Sequence, residues 1–299
     1  MYRILIWGCG LQYGQYINAI KYQEVLGSIK VVGITGRDQV YSCLDGYPFI
    51  PLEDIKVESI DYVVVTSEQY YKNISDNAVA RGFRRETVIM AKVFCLPYFD
   101  FEKYVNLLQS KISIIAINCW GGRAYHALGM QFATPFINMY VRPNDYLKLL
   151  NNLSYYLELP LEYCKMQYEP KIGNYPVGCL GDVELYFNHY SNMEEAAGKW
   201  NERIKRLNME NLFVMMYTDN YQVAEQFDSL PYDKKVCFVP FESTLQSSCT
   251  LQIASRKAMC NTKWWEMVNY TVSGFFHDYN LIDLLLEGRI NHDRYYVAP

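Results

Sequence analysis

Ile4-Leu5-Ile6-Trp7-Gly8-Cys9-Gly10-Leu11-Gln12-Tyr13-Gly14 is the stretch on which the fold of this chain turns. Its first four residues form a short apolar run, the pattern of a strand buried on both faces. Glycines follow at once, and Tyr13, Ile17 and Ile20 then recur at the spacing of one helix face. Val31-Val32-Gly33-Ile34 reads as a second buried strand. In a strand–glycine turn–helix–strand order, the first glycine permits the tight turn. The second lets a phosphate approach backbone N–H groups at the helix start. Gly8, Gly10 and Gly14 are therefore the expected nucleotide-binding positions. The competing reading is that they only let strand and helix pack closely. The third glycine falls one position later than in the dinucleotide fingerprint. Thr35-Gly36-Arg37 also stands where an acidic residue usually takes ribose hydroxyls, with Asp38 slightly too late. Arg37 suits a phosphate instead, and NAD specificity is unsupported.

Working outward, Asp61–Ser67 and Thr87–Met90 read as third and fourth strands. A helix from about Tyr70 to Arg81 ends at Gly82, and another near Phe99–Leu108 closes the unit. Between the second and third strands lies Gly46-Tyr47-Pro48-Phe49-Ile50-Pro51-Leu52-Glu53-Asp54-Ile55. Together with the glycine motif, it resembles the Rossmann-like module at the N-terminus of bacterial sugar acyltransferases, over nearly all of residues 1–95. That resemblance implies a bound nucleotide or nucleotide-sugar.

Length and composition set the outer bounds. A chain of 299 residues suits two cores better than one. The boundary is placed at the polar Gln109-Ser110-Lys111, giving domains 1–110 and 111–299. Lys and Arg number 11 against 12 acidic residues in the first part and 17 against 20 in the second, so neither offers the basic footing of a nucleic-acid binder. Nine cysteines without C-x-x-C spacing argue against a zinc knuckle or a disulfide framework, so reduced thiols are expected. No run approaches the roughly 20 apolar residues of a membrane span, and a cytoplasmic location is expected. The 28 tyrosines suit sugar rings, although compositional bias filling cores and surfaces alike is the stronger explanation of such a count. Homo-oligomerisation is left open.

In the second domain Ile112–Ile117 restarts the strand pattern, followed by Asn118-Cys119-Trp120-Gly121-Gly122 and a short helix. Phe136–Val141 reads as a strand. Tyr146, Leu149, Leu150, Leu153 and Leu157 read as one helix behind an Asn144 cap, and residues 160–180 as irregular chain. Val183, Leu185 and Phe187 alternate with polar partners up to His189. Met193, Ala196, Ala197, Trp200, Ile204 and Leu207 form an apolar stripe, with Ser191 and Glu194 as a capping box. Leu212–Thr218, ending at Asp219-Asn220, and Val236–Val239 read as strands around a helix near Gln222–Leu230. No elements are assigned between Phe241 and Phe276, and a last helix through Leu281 and Leu285 stops at Gly288. The expected architecture is α/β, with two Rossmann-like three-layer domains and mainly parallel sheets. Ile117–Gly122, Tyr175–Gly178, the Glu195–Arg206 helix with Trp200, and Asn211–Met216 resemble a bacterial family of unknown function, over most of residues 112–240. Its members are met among exopolysaccharide and capsule biosynthesis genes, which implies a role there.

Ligands of parallel α/β sheets bind at the carboxyl ends of the strands. If the strands before Asn118-Cys119, His189 and Asp219 share one such sheet, those residues share one edge. Cys119 at a helix start, with Gly121 and Gly122 exposing N–H groups, would then face His189 and Asp219 in an acyl-transfer arrangement. Asn118, Gly121 and Gly122 are the expected substrate contacts. Taken singly, each catalytic candidate has a plainer reading: Cys119 a small buried hydrophobe, His189 a core histidine, Asp219 a helix cap. His126, His277 and His292 lack partners at ligand spacing, so no metal is expected. The expected function is transfer to a sugar or polysaccharide precursor. The alternatives are a non-catalytic nucleotide-sugar-binding protein and an NAD(P)-dependent oxidoreductase.

Overall fold

The computed structural model describes residues 1–37, 42–241, 250–252, 268, 272 and 279–288. Asp38, His277 and His292, with nearly all of the Phe241–Phe276 stretch, lie outside the described residues. The chain divides into two compact units, Met1–Leu108 and Gln109–Pro299.

The first unit begins with β1 (Tyr2–Trp7), α1 (Tyr13–Val25) and β2 (Ile29–Thr35). A small hairpin of β3 (Cys43–Leu44) and β4 (Tyr47–Pro48) follows, with Asp45 and Gly46 both at positive φ in its turn. Then come β5 (Tyr62–Val65), α2 (Tyr71–Ala80), β6 (Val88–Met90) and α3 (Phe101–Gln109). The four longer strands form one parallel sheet in the order β2-β1-β5-β6. Because β1 and β5 are buried on both faces, alternate side chains feed two cores. Leu5, Trp7, Val63 and Val65 pack with Ala78 of α2, while Tyr2 and Tyr62 meet Phe101 edge-on. The buried Gln23 ties α1 to the segment entering α3, donating to the Phe99 carbonyl and accepting from the Phe101 N–H.

The second unit opens with β7 (Ser113–Ala116), α4 (Trp120–Ala127), β8 (Tyr140–Val141), α5 (Pro143–Asn151) and α6 (Leu153–Glu158). It continues through β9 (Glu162–Glu169), β10 (Gly173–Leu180), β11 (Val183–Tyr186), α7 (Met193–Ile204), β12 (Leu212–Tyr217) and α8 (Tyr221–Asp228). The last described elements are β13 (Lys235–Val239), β14 (Thr250–Gln252) and α9 (Leu281–Glu287). A parallel sheet of order β14-β13-β12-β7 accompanies an antiparallel sheet of order β8-β11-β10-β9.

Both units are thus α/β with a parallel sheet, as expected, but the second carries an added antiparallel sheet. Four readings are corrected. Residues 160–180 are a hairpin: β9 is exposed along most of both faces, so it shows no apolar alternation, and Pro176 and Gly178 mask β10. The strand before His189 belongs to the antiparallel sheet, between β8 and β10. The strand expected over Phe136–Val141 shrinks to two residues, with Asn138 at positive φ ahead of it. The helix expected from 146 to 157 breaks at Asn152 into α5 and α6.

Gly178 admits the side chains that seat α7 on the antiparallel sheet. A Cβ there would lie 2.8 Å from Leu161 and 3.0 Å from both Met193 and Phe187. The buried residues of α7 are Ala196, Trp200 and Arg203, a narrower stripe than its apolar pattern implies. Its cap is Asn192, whose side chain accepts from the Glu195 N–H, in place of Ser191. Cys164 and Cys179 are disulfide-bonded across β9 and β10, with Cα atoms 6.0 Å apart. The register shift opposite Val177 and Gly178 leaves Cys164 as the extra residue of a bulge. The expectation of reduced thiols throughout therefore fails at this pair.

Candidate functional site

In the first unit the strand order reverses between β1 and β5, because α1 leads from β1 to β2 on one side and the chain then crosses to β5 on the other. Ligands of open parallel sheets bind outside the strand ends at such a reversal. The glycine turn stands there. Gly8 has φ +117°, its N–H bonds the Thr35 carbonyl at 2.8 Å, and its carbonyl accepts the Thr66 hydroxyl at 3.0 Å. A Cβ at Gly8 would lie 2.5 Å from that hydroxyl oxygen, so the turn demands glycine twice over. Around Gly10 and Gly14, a Cβ would meet nothing within 4 Å. Gly14 therefore does not serve close helix–strand packing, and Gly10 is exposed with open space beside it.

No side chain caps α1 at Gln12. Instead the Gln12 side chain accepts the Glu68 N–H, and Glu68 accepts the Tyr16 hydroxyl at 2.6 Å and lies 3.6 Å from the Lys92 ammonium. The Thr35 hydroxyl at the end of β2 is fully buried and has no hydrogen-bond partner among the described residues. Arg37 is exposed two residues beyond β2.

In the second unit β7 and β12 are parallel neighbours, with the Ile117 N–H on the Met215 carbonyl at 3.1 Å. Asn118-Cys119 and Thr218-Asp219 thus leave adjacent strands at the same carboxyl edge. The antiparallel sheet joins that edge directly, through the Val141 N–H on the Ile117 carbonyl at 2.9 Å. Asn118 is 5% exposed. Its oxygen accepts the Trp120 N–H at the start of α4, while its Nδ2 has no partner among the described residues. Gly121 faces the sheet, where a Cβ would press on Ala116 at 3.1 Å and Ile114 at 3.3 Å, and Gly122 has ordinary clearance from Ile137.

Cys119 is half-buried at the head of α4. Burial pushes its thiol pKa up, and the Arg123 guanidinium only partly opposes this. His189 is lowered, first by partial burial and then by the same Arg123. Asp219 is exposed beside Tyr217, and the cap of α8 is Asn220. Among the described residues no hydrogen bond joins Cys119, His189 and Asp219 to one another. The edge holds Cys119 and Asp219 on one sheet, and His189 reaches the vicinity of Arg123 from the other. Sequence reading missed Arg123 and Tyr217. Arg123 carried a signal, since it stands one helical turn after Cys119. Tyr217 carried none, being one more aromatic residue in an apolar strand.

Residues 90–285 match the family described as Domain of unknown function (DUF1919), and residues 1–89 match the C2185-like, N-terminal family. A Haemophilus influenzae protein bearing the name Uncharacterized protein is 39% identical over 137 residues, 44% of this chain and 64% of the relative. The chain thus matches less than two thirds of that relative's length. Among solved structures, Vibrio cholerae aspartate semialdehyde dehydrogenase II complexed with ASA aligns at 12% identity. That alignment covers 54% of this chain and 48% of the other, with a TM-score of 0.24, too low to carry an argument. With the match running over some two thirds of its length, the chain belongs to the DUF1919 family of unknown function.

Proposed function

We propose that this protein is a transferase acting on a sugar or polysaccharide precursor in bacterial exopolysaccharide biosynthesis, with its first unit holding a nucleotide or nucleotide-sugar. The observation that carries the reading is the Gly8 turn at the strand-order reversal, with Gly10 open beside it. The buried Thr35 hydroxyl, without a hydrogen-bond partner among the described residues, adds a polar group at the same place. Thr35-Gly36-Arg37, standing where an acidic residue would take ribose hydroxyls, argues against NAD.

At the edge of the second unit, the raised thiol pKa keeps Cys119 protonated near neutrality and disfavours it as a nucleophile. The lowered pKa of His189 keeps its imidazole neutral and able to accept a proton from an attacking hydroxyl. Arg123 supplies positive charge to an anionic leaving group or substituent, and Asp219 a carboxylate beside Tyr217.

The test is calorimetry and thermal shift on the full chain with uridine nucleotide-sugars, NAD(P)H, acyl-CoA and S-adenosylmethionine. A nucleotide-sugar should bind, and Gly10→Val should weaken it at least tenfold while leaving the unfolding midpoint in place. No nucleotide binding to the unsubstituted chain would end this reading. A non-catalytic binding protein is the second reading, favoured by the lack of hydrogen bonds among Cys119, His189 and Asp219. Substituting those three would leave a binding protein's function intact.

A further inference from the structure

One face of the antiparallel sheet gathers three tyrosines around two carboxylates. Tyr140 lies opposite Tyr186, and Tyr186 opposite Val177, so these residues share a face with Tyr175, two positions from Val177. The Tyr140 and Tyr186 rings stack 4.7 Å apart and 13° from parallel, with the exposed Arg142 guanidinium 4.8 Å from the Tyr186 centroid. Tyr175 and Tyr186 are buried, whereas Tyr140 is partly exposed. The Tyr140 hydroxyl, at 3.1 Å, and the Tyr175 hydroxyl converge on the same oxygen of Glu169, and the two hydroxyls are 3.0 Å apart. Glu184 is already engaged through both oxygens, by Lys165 and by the Tyr186 hydroxyl. Glu169 is not: its Oε2 accepts no hydrogen bond among the described residues.

This corner is rich in acceptors and poor in donors. The free carboxylate oxygen and the remaining lone pair of the partly exposed Tyr140 hydroxyl point to a ligand that brings more than one O–H donor. A charge-assisted bond to a carboxylate is among the stronger neutral-ligand contacts. The carboxylate also disfavours an anionic group at the same spot. Position adds the second argument. Tyr140 precedes Val141, whose N–H bonds the Ile117 carbonyl at 2.9 Å just before Asn118-Cys119, and Tyr217 at the end of β12 has its pKa raised first by burial and then by Tyr140, Cys119 and Asp219. The corner therefore adjoins the carboxyl edge that carries the candidate reacting groups.

We propose that Tyr140 and Glu169, the latter held by the Tyr175 hydroxyl, bind the hydroxyls of a sugar ring, the acceptor of the transfer described above, on which reading the acceptor role rests. The free Oε2 of Glu169 takes one hydroxyl and the Tyr140 hydroxyl a neighbouring one, and the partly exposed rings of Tyr140 and Tyr217 meet the sugar's C–H face.

Saturation-transfer NMR on the full chain, with the methyl glycosides of glucose, galactose, mannose and N-acetylglucosamine as probes, tests this. At least one should bind, and Glu169→Gln and Tyr140→Phe, both nearly isosteric, should each weaken it at least tenfold. Thermal unfolding of each variant confirms folding, and if Glu169→Gln fails to fold, Tyr140→Phe decides alone. No glycoside binding, or binding unchanged in the folded variants, overturns the sugar site. Nucleotide affinity is measured on the same samples. Glycoside binding that depends on these residues in a chain that binds no nucleotide would uphold the sugar site and remove the transferase reading.

Discussion

Gly8 and Gly10 stand two residues apart in one turn, yet their reasons for being glycine differ. At Gly8 the backbone is left-handed and Thr66 fills the space a side chain would need. Gly8→Ala should therefore cost about 1–3 kcal/mol of strain, read as a lowered denaturant midpoint. Gly10 faces open space, so its substitution should register in ligand affinity while stability stays the same. His189 carries a pH prediction. Its pKa in the folded chain is below the ordinary imidazole value of about 6.5, so the unfolded chain takes up the proton first. Its contribution to stability is complete above that value and is lost as pH falls through it towards the folded pKa. In a transfer assay, the same neutral imidazole should give an acid limb with an apparent pKa below about 6.5, and His189→Gln should abolish that limb. An unchanged limb in the variant would assign it to another group.

Among the elements, α7 shows how a helix legible from its pattern is still trimmed by what it packs against. Trp200 meets Phe136 edge-on at 5.2 Å and Phe187 at 6.3 Å, and is 3% exposed. Trp200→Ala should cost about 3–5 kcal/mol in chemical denaturation. An unchanged midpoint would mean that the aromatic cluster contributes nothing. The helix also buries Arg203, which donates to the Tyr190 hydroxyl at 2.7 Å, a polar position no apolar count anticipates. The β9–β10 hairpin is cross-linked by its disulfide. Closing a loop of sequence separation 15 restricts the unfolded chain, and reduction should cost roughly 3 kcal/mol in that model of the effect. Unfolding with and without dithiothreitol, beside Cys164→Ser/Cys179→Ser as a control that should not respond to reductant, measures it.

For the molecule as a whole, division into two α/β units follows from local order, while their content does not. The structural division falls between Leu108 and Gln109, whereas the DUF1919 match begins at residue 90, so β6 ends and α3 begins within that match although both belong to the first unit. No described helix is long and apolar enough to cross a membrane. The sequence by itself determined the strands buried on both faces, the glycine turn, and the helix ends at Gly82 and Gly288, because each is set by neighbours a few residues away. It also located Cys119 and Asp219 at strand ends. Only the tertiary structure decided that the strand before His189 joins an antiparallel sheet, since Val183–Tyr186 could pair in either sense and only β8 and β10 fix which. The same holds for the cysteine pair, which a register shift brings together. Arg123 came to act on both Cys119 and His189 in the same way, through contacts that join distant segments. Such features arise from contacts between distant segments, and the spacing of residues along the chain carries no record of them.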